Sequence, residues 1–220
     1  MGDRPGGRGG MTGRRTSVLP DSRLLVGPVV TLRPLGTDDA AELFDAIGSK
    51  EVWAAGYNGG EAARPRSEAE MAEWIDALVH QGPRATYAVT LSADSPSGAV
   101  GRVVGTSSLV EADLTHHRVH LGATAYAPRV WGTAVNPAAK RLLLAHAFED
   151  CGFERVKIQT DHLNTRSQAA IAKLGATREG VLRHEMIRAD GTWRDTVVFS
   201  ILADEWSDVR ARLDARIAAA

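Results

Sequence analysis

The most constraining feature of the sequence is a six-residue turn, Arg129-Val130-Trp131-Gly132-Thr133-Ala134, set between a strand pattern ending near Tyr126 and a helix pattern over about 133–150. A glycine and a small alanine at the mouth of a helix leave several backbone N–H groups unpaired beside the positive end of the helix dipole, and Arg129 adds a charged donor. Such a turn can hold a pyrophosphate. An ordinary strand-to-helix turn, with Asn136 or Thr133 as N-cap and Pro137 in the first helical turn, reads the same residues equally well. No Gly-Lys-Ser/Thr follows and the three-glycine dinucleotide fingerprint is missing, which excludes a Walker A loop and a Rossmann site.

The turn sits in an α+β order. Residues 29–33 read as a strand stopped by Pro34, and Thr37 caps a helix with Ala40, Leu43, Phe44 and Ile47 on one face. Ser67 and Glu70 form a capping-box pattern opening a second helix, with Met71, Trp74, Ile75 and Leu78 inward and Gly82-Pro83 as its stop. Strand patterns at 86–91, 100–110 and 118–126 predict an antiparallel meander. After the turn, a helix over 133–150, a strand at 155–160, a helix over 165–174, strands at 181–188 and 196–202 around Ala189-Asp190-Gly191, and an amphipathic segment at 204–217 complete the chain.

With 220 residues, 44% of them hydrophobic and a formal charge of -1, the chain is long enough for one sizeable core and has no global field to drive binding to nucleic acid or an anionic membrane. No apolar run approaches membrane-spanning length; 142–148 is interrupted by His146. The single cysteine, Cys151, excludes disulfide, zinc-ribbon and CxxC readings and fits a reducing cytoplasm. Residues 1–22 are rich in Gly, Arg and Pro and are expected to be a disordered tail, Met11 being an alternative start, with one domain over 23–220.

Further blocks carry a resemblance. Arg129, Gly132 and Ala134 match the acyl-CoA motif Gln/Arg-x-x-Gly-x-Gly/Ala. Leu32-Arg33-Pro34-Leu35 with Asp39 precedes it, Trp131 to Asn136 leads into the long helix, and Asn164-Thr165-Arg166-Ser167-Gln168 runs on to Lys173-Leu174-Gly175-Ala176. Over 29–202 the chain resembles the GNAT superfamily of acetyl-CoA-dependent N-acetyltransferases, in its RimJ/RimL-like branch. The resemblance implies an α+β fold with a mixed, mostly antiparallel central sheet of about seven strands, splayed middle strands and flanking helices. Gly122 suits a bulge that starts the splay. The backbone of Thr124, Ala125 and Tyr126 would reach the acetyl and pantetheine groups. The turn, with Arg129, Trp131, Gly132, Thr133 and Ala134, would hold the pyrophosphate. Asn164 and Ser167 would flank the thiol end, plain helix capping being the alternative for these two.

Acetyl transfer requires a neutral amine, stabilisation of negative charge on the carbonyl oxygen and a proton for the departing thiolate. Where many family members carry a glutamate base this chain has His120, which can accept a proton at neutral pH or merely alternate on a half-exposed strand. Glu185 is the rival base. The usual tyrosine acid falls at Ile171, which leaves Ser167 as the hydroxyl donor. His116, His117 and His120 lack the carboxylate or thiolate partners of a metal site, so no metal is expected. Cys151 reads as structural; Trp74 and Trp206 fit core faces, while Trp53, Tyr57 and Trp193 lie in or beside loops that could wall an acceptor pocket. The acceptor implied is a protein N-terminal α-amine or a small amine; Glu51, Glu61, Glu111, Asp113 and Glu185 are scattered acids rather than a cationic-substrate cluster. A monomer or homodimer fits. The missing tyrosine and the histidine substitution keep open a degenerate acyl-CoA-binding sensor or interaction module of the same fold.

Overall fold

The computed structural model describes residues 16–220 apart from Ala55 and Ala189. Ala85–Leu91 (β3), Val103–Asp113 (β4) and Arg118–Tyr126 (β5) pair antiparallel, as their β-branched and aromatic content favours. Leu25–Val26 (β1) and Val30–Pro34 (β2) extend the sheet beyond β3. Arg155–Asp161 (β6), Thr177–Ile187 (β7) and Trp193–Leu202 (β8) complete it in the order β1-β2-β3-β4-β5-β6-β8-β7. Among the described residues only β5 and β6 run parallel. The sheet has eight strands rather than about seven, because the two residues of β1 are too few to leave a periodic signal.

The helices are Ala40–Ile47 (α1), Lys50–Trp53 (α2), Glu68–Val79 (α3), Val135–Ala145 (α4), Thr165–Ala172 (α5) and Trp206–Ala218 (α6). Ser67 caps α3 by accepting from the Glu70 amide at 3.2 Å. The apolar stripes face inward: Leu43 and Ile47 of α1 and Met71 and Ile75 of α3 are fully buried, each such side chain contributing about 1.5–3 kcal/mol. α1 packs on α3, β4 and β5, whereas α4 packs on β1, β2 and α6. The helix expected to run to 150 ends as regular α-helix at Ala145 and closes in a π-turn over His146–Asp150, where His146 Nδ1 meets Asp150 Oδ2 at 2.8 Å.

Within the stretch expected to be a tail, 1–22, the described residues make long-range contacts. Residues 1–15, including Met11, fall outside the described residues, but Ser17 is buried, with its Oγ 2.6 Å from His117 Nδ1 and donating to the Gly152 carbonyl at 3.0 Å. Val18 N–H bonds to the Cys151 carbonyl, and the Tyr87 hydroxyl donates to the Asp21 carbonyl. These partners come from elements more than sixty residues away, so no local pattern announces them. Among the described residues no helix is long and apolar enough to cross a membrane.

What positions the site is the centre of the sheet. β5 and β6 pair only through Arg118↔Arg155, Val119↔Val156 and His120↔Lys157. Beyond that, β5 stays on β4 as far as Tyr126↔Gly105 and β6 stays on β8 as far as Asp161↔Thr196. Two neighbouring strands that keep their outer partners and lose each other form an open V, with inward N–H and C=O groups left for another chain or ligand.

Candidate active site

Strand β5 makes one wall of the V and does so through a bulge. Thr106 pairs with Ala125 and Ser108 with Gly122, so Ala123 and Thr124 together oppose Ser107. Ala123 carries φ +46°, the left-handed conformation a non-glycine residue seldom adopts. The Tyr57 hydroxyl, in the segment after α2, donates to the Ala123 carbonyl at 3.4 Å. Sequence reasoning placed the bulge at Gly122; the structure puts the extra residue beside it and gives Gly122 a different task. A Cβ there would lie 2.7 Å from His120 Nε2, so the bare glycine is what lets the His120 ring lie along the strand.

His120 is buried at the apex of the V, in the last pair joining β5 to β6. Its Nδ1 lies 3.4 Å from Glu111 Oε2, within ion-pair range, yet neither ring nitrogen completes a hydrogen bond among the described residues. Burial pulls its pKa below the ordinary imidazole value and outweighs Glu111, which favours the charged ring. Glu111 is held down to about 2 by the adjacent His120 and by Lys157, whose ammonium lies 2.7 Å away. Burial thus favours the neutral imidazole, and both of its ring nitrogens are closed off from solvent, with a carboxylate beside the ring. Glu185 sits exposed on edge strand β7, three strand spacings or about 14 Å from β5, so it is not brought together with His120.

The pyrophosphate-type turn follows β5 directly. Pro128–Val130 forms a 3-10 turn, Gly132 takes φ +79°, and α4 begins at Val135 behind Ala134, which supplies no side-chain cap. The N–H groups of Gly132 and Ala134 have no partner among the described residues, and a Cβ on Gly132 would meet no atom within 4 Å. Free amides, a helix N-terminus and open space above a left-handed glycine suit a phosphate group. Arg129 departs from expectation: its guanidinium turns away, donating to the Ser97 carbonyl at 3.1 Å and pairing with Asp45 at 3.5 Å, so it braces the turn against the β3–β4 connection. Trp131 donates to the Tyr126 carbonyl and carries the Arg166 guanidinium 3.7 Å over its ring. Thr133 Oγ1 folds back onto the Val130 carbonyl.

On the other wall, Asn164 caps α5 by accepting from the Ser167 amide at 2.9 Å, so the capping function is present. The half-buried Ser167 lies at the start of that helix, and Ile171 is buried in the core. Trp53, expected near a pocket wall, is instead a fully buried core residue donating to the Ile47 carbonyl; it stacks edge-on with Tyr57 and Trp74. Trp193 is exposed. Cys151 is buried and its thiol is pushed up to about 11 by that burial. Among the described residues no group of three or more His, Cys, Asp or Glu forms a metal cluster.

The family model described as an acetyltransferase (GNAT) domain matches residues 30–177, well over half of the chain and the whole of the V and its turn. The chain belongs to the GNAT acetyltransferase family. A Bacillus subtilis (strain 168) relative, YdaF, whose name makes it a candidate ribosomal N-acetyltransferase, is 30% identical over 106 residues, 48% of this chain and 57% of its own length. The chain thus spans little more than half of that curated relative. The structure of a candidate acetyltransferase from T. thermophilus superposes with TM-score 0.76 at 34% identity, covering 88% of this chain and 96% of that one. Mycobacterium smegmatis RimJ, solved in complex with CoA-disulfide, shares the fold at TM-score 0.72 and 23% identity over 90% of this chain and 95% of its own. The GNAT fold expected from the sequence is therefore shown, splayed strands included.

Proposed function

We propose that this GNAT protein is an N-acetyltransferase that moves acetyl from acetyl-CoA directly to the primary amine of a peptide N-terminus. The observation that carries the reading is the V: β5 and β6 separate just past His120, and the wall of the opening leads to a turn with free amides. The residues present fit the donor. Amides along 123–126 that face into the V can pair with the pantetheine arm as an added strand, the Gly132–Ala134 turn can receive the pyrophosphate, and Asn164 and Ser167 stand at the opposite wall. Acetyl-CoA supplies the thioester, and the chain supplies the environment. Backbone N–H groups near Thr124 and Ala125 stabilise charge on the carbonyl oxygen. His120, which burial favours in its neutral form and which Glu111 flanks, takes the proton of the attacking amine directly or through one water. Ser167 offers its hydroxyl as a hydrogen-bond donor to the leaving sulfur, which departs as a thiolate and takes its proton from solvent.

The ribosomal name of YdaF and the RimJ/RimL-like blocks support a protein N-terminus over a small amine. A cytoplasmic monomer or homodimer, with the folded domain continuing to residue 220, completes the proposal. Free thiol measured with acetyl-CoA against N-terminal peptides and small amines tests it. Thiol release that depends on a peptide with a free α-amine is expected. Binding of acetyl-CoA with no acceptor-dependent release would instead favour an acyl-CoA sensor.

A further inference from the structure

Lys140 is a buried amine with no carboxylate beside it among the described residues. It projects from α4 into the interior, where Nζ donates to Thr124 Oγ1 at 2.6 Å and to Ser107 Oγ at 3.1 Å. The two hydroxyls lie 2.8 Å apart, and Thr124 Oγ1 donates onward to the Gly122 carbonyl at 3.3 Å. One consistent set links the three side chains: Lys140 gives to both hydroxyls, Ser107 gives to Thr124, and Thr124 gives to Gly122. Taking an ammonium out of water without a counter-charge is costly, and a methionine would fill the same volume without that cost. Burial accordingly pushes Lys140 down to about 7. The neutral amine keeps two N–H donors, so the hydrogen bonds hold on either side of that value.

The partners locate the purpose. Ser107 is the β4 residue opposed by two residues of β5, and Thr124 is one of those two. Next to it, Ala123 sits at φ +46°. The cheapest relaxation of such a bulge is for β5 to fall back into regular pairing, a one-residue change that reverses which peptide groups face the V. Lys140 from α4 and Tyr57 after α2 seize the bulge through neighbouring residues and oppose that slide. We infer that Lys140 is a positioning residue for acetyl transfer, fixing through Thr124 and Ser107 the bulged peptide units of β5 that polarise the thioester carbonyl.

The inference rests on acetyl-CoA occupying the V, and the experiment separates the two. The full chain is titrated with acetyl-CoA carrying 13C at the acetyl carbonyl, and the bound carbonyl resonance is compared between wild type, Lys140→Met and Thr124→Val. Both variants are expected to bind within about threefold of wild type, a difference under ~0.7 kcal/mol. Their bound carbonyl resonance is expected to move at least halfway back toward the free position. An unchanged resonance in a folded Lys140→Met overturns the inference while leaving the cofactor reading intact. No binding to wild type overturns both. Should Lys140→Met fail to fold, Thr124→Val decides: a wild-type resonance there overturns the inference, and a shifted one upholds it.

Discussion

Gly132 offers the sharpest test of the phosphate turn, because its conformation and its surroundings separate two costs. At φ +79° an alanine is strained by about 1 kcal/mol, which lowers Tm by roughly 2–4 °C in a domain of this size. A Cβ there meets nothing within 4 Å, so no clash inside the protein is added. That strain is present in free and bound states alike and cancels in the affinity for coenzyme A. What does not cancel is the methyl group's intrusion between the Gly132 amide and a phosphate oxygen. Loss of one hydrogen bond to a charged group, about 1.5–3 kcal/mol, weakens binding roughly 10- to 150-fold. Gly82→Ala is the matched control: φ +67°, equally open, and located after α3. Calorimetric titration with coenzyme A and thermal melts of both variants should show similar Tm losses and a fall in affinity only for Gly132→Ala. Equal affinities in the two variants would refute the assignment of this turn to the pyrophosphate.

His120 lowered by burial must lose its proton to act, so beside the rise near ~8 that deprotonation of the acceptor's own α-amine gives, kcat/KM for a peptide acceptor should show a separate, lower limb with its inflection below 6.5. His120→Ala should lower kcat/KM by about 10²–10³ and abolish that limb; a pH–rate profile that keeps the limb returns the role to another base. Ser167→Ala should reduce kcat about tenfold while coenzyme A affinity stays within about twofold, and equal losses in both would make the serine a binding group rather than a hydrogen-bond donor to the leaving sulfur. Lys140 has a folded-state pKa of about 7, below the unfolded value near ~10.4, so the unfolded chain binds more protons between them and stability should rise with pH across that window. Lys140→Met should flatten that rise, which has a limiting slope of about 1.4 kcal/mol per pH unit; denaturant unfolding at pH 7 and 9 measures it.

Much of the V was legible because its parts are local. The bounds of β5, the glycine turn and the helix behind it follow from periodicity and from what a helix N-terminus leaves unpaired. The partner of His120 did not show. In a regular ladder Glu111 would oppose Val119 and face away from His120, but the register shifts between Val110 and Asp113. Glu111 takes φ +53°, which turns the carboxylate onto the histidine's side. Lys140 escaped for a related reason: on a helix it reads as a solvated cation, and only the bulge opposite Ser107 provides hydroxyls to receive it. Arg129 kept its place in the motif, yet Asp45 of α1, eighty-four residues earlier, draws its guanidinium aside.

Diffraction from crystals of the protein grown with coenzyme A tests the account most directly. The pantetheine arm should lie between β5 and β6 beyond His120 and Lys157, hydrogen-bonded to the backbone of 123–126, with the pyrophosphate on the amides of Gly132 and Ala134. Density for the cofactor elsewhere, or β5 and β6 closed against each other with the turn unoccupied, would contradict it.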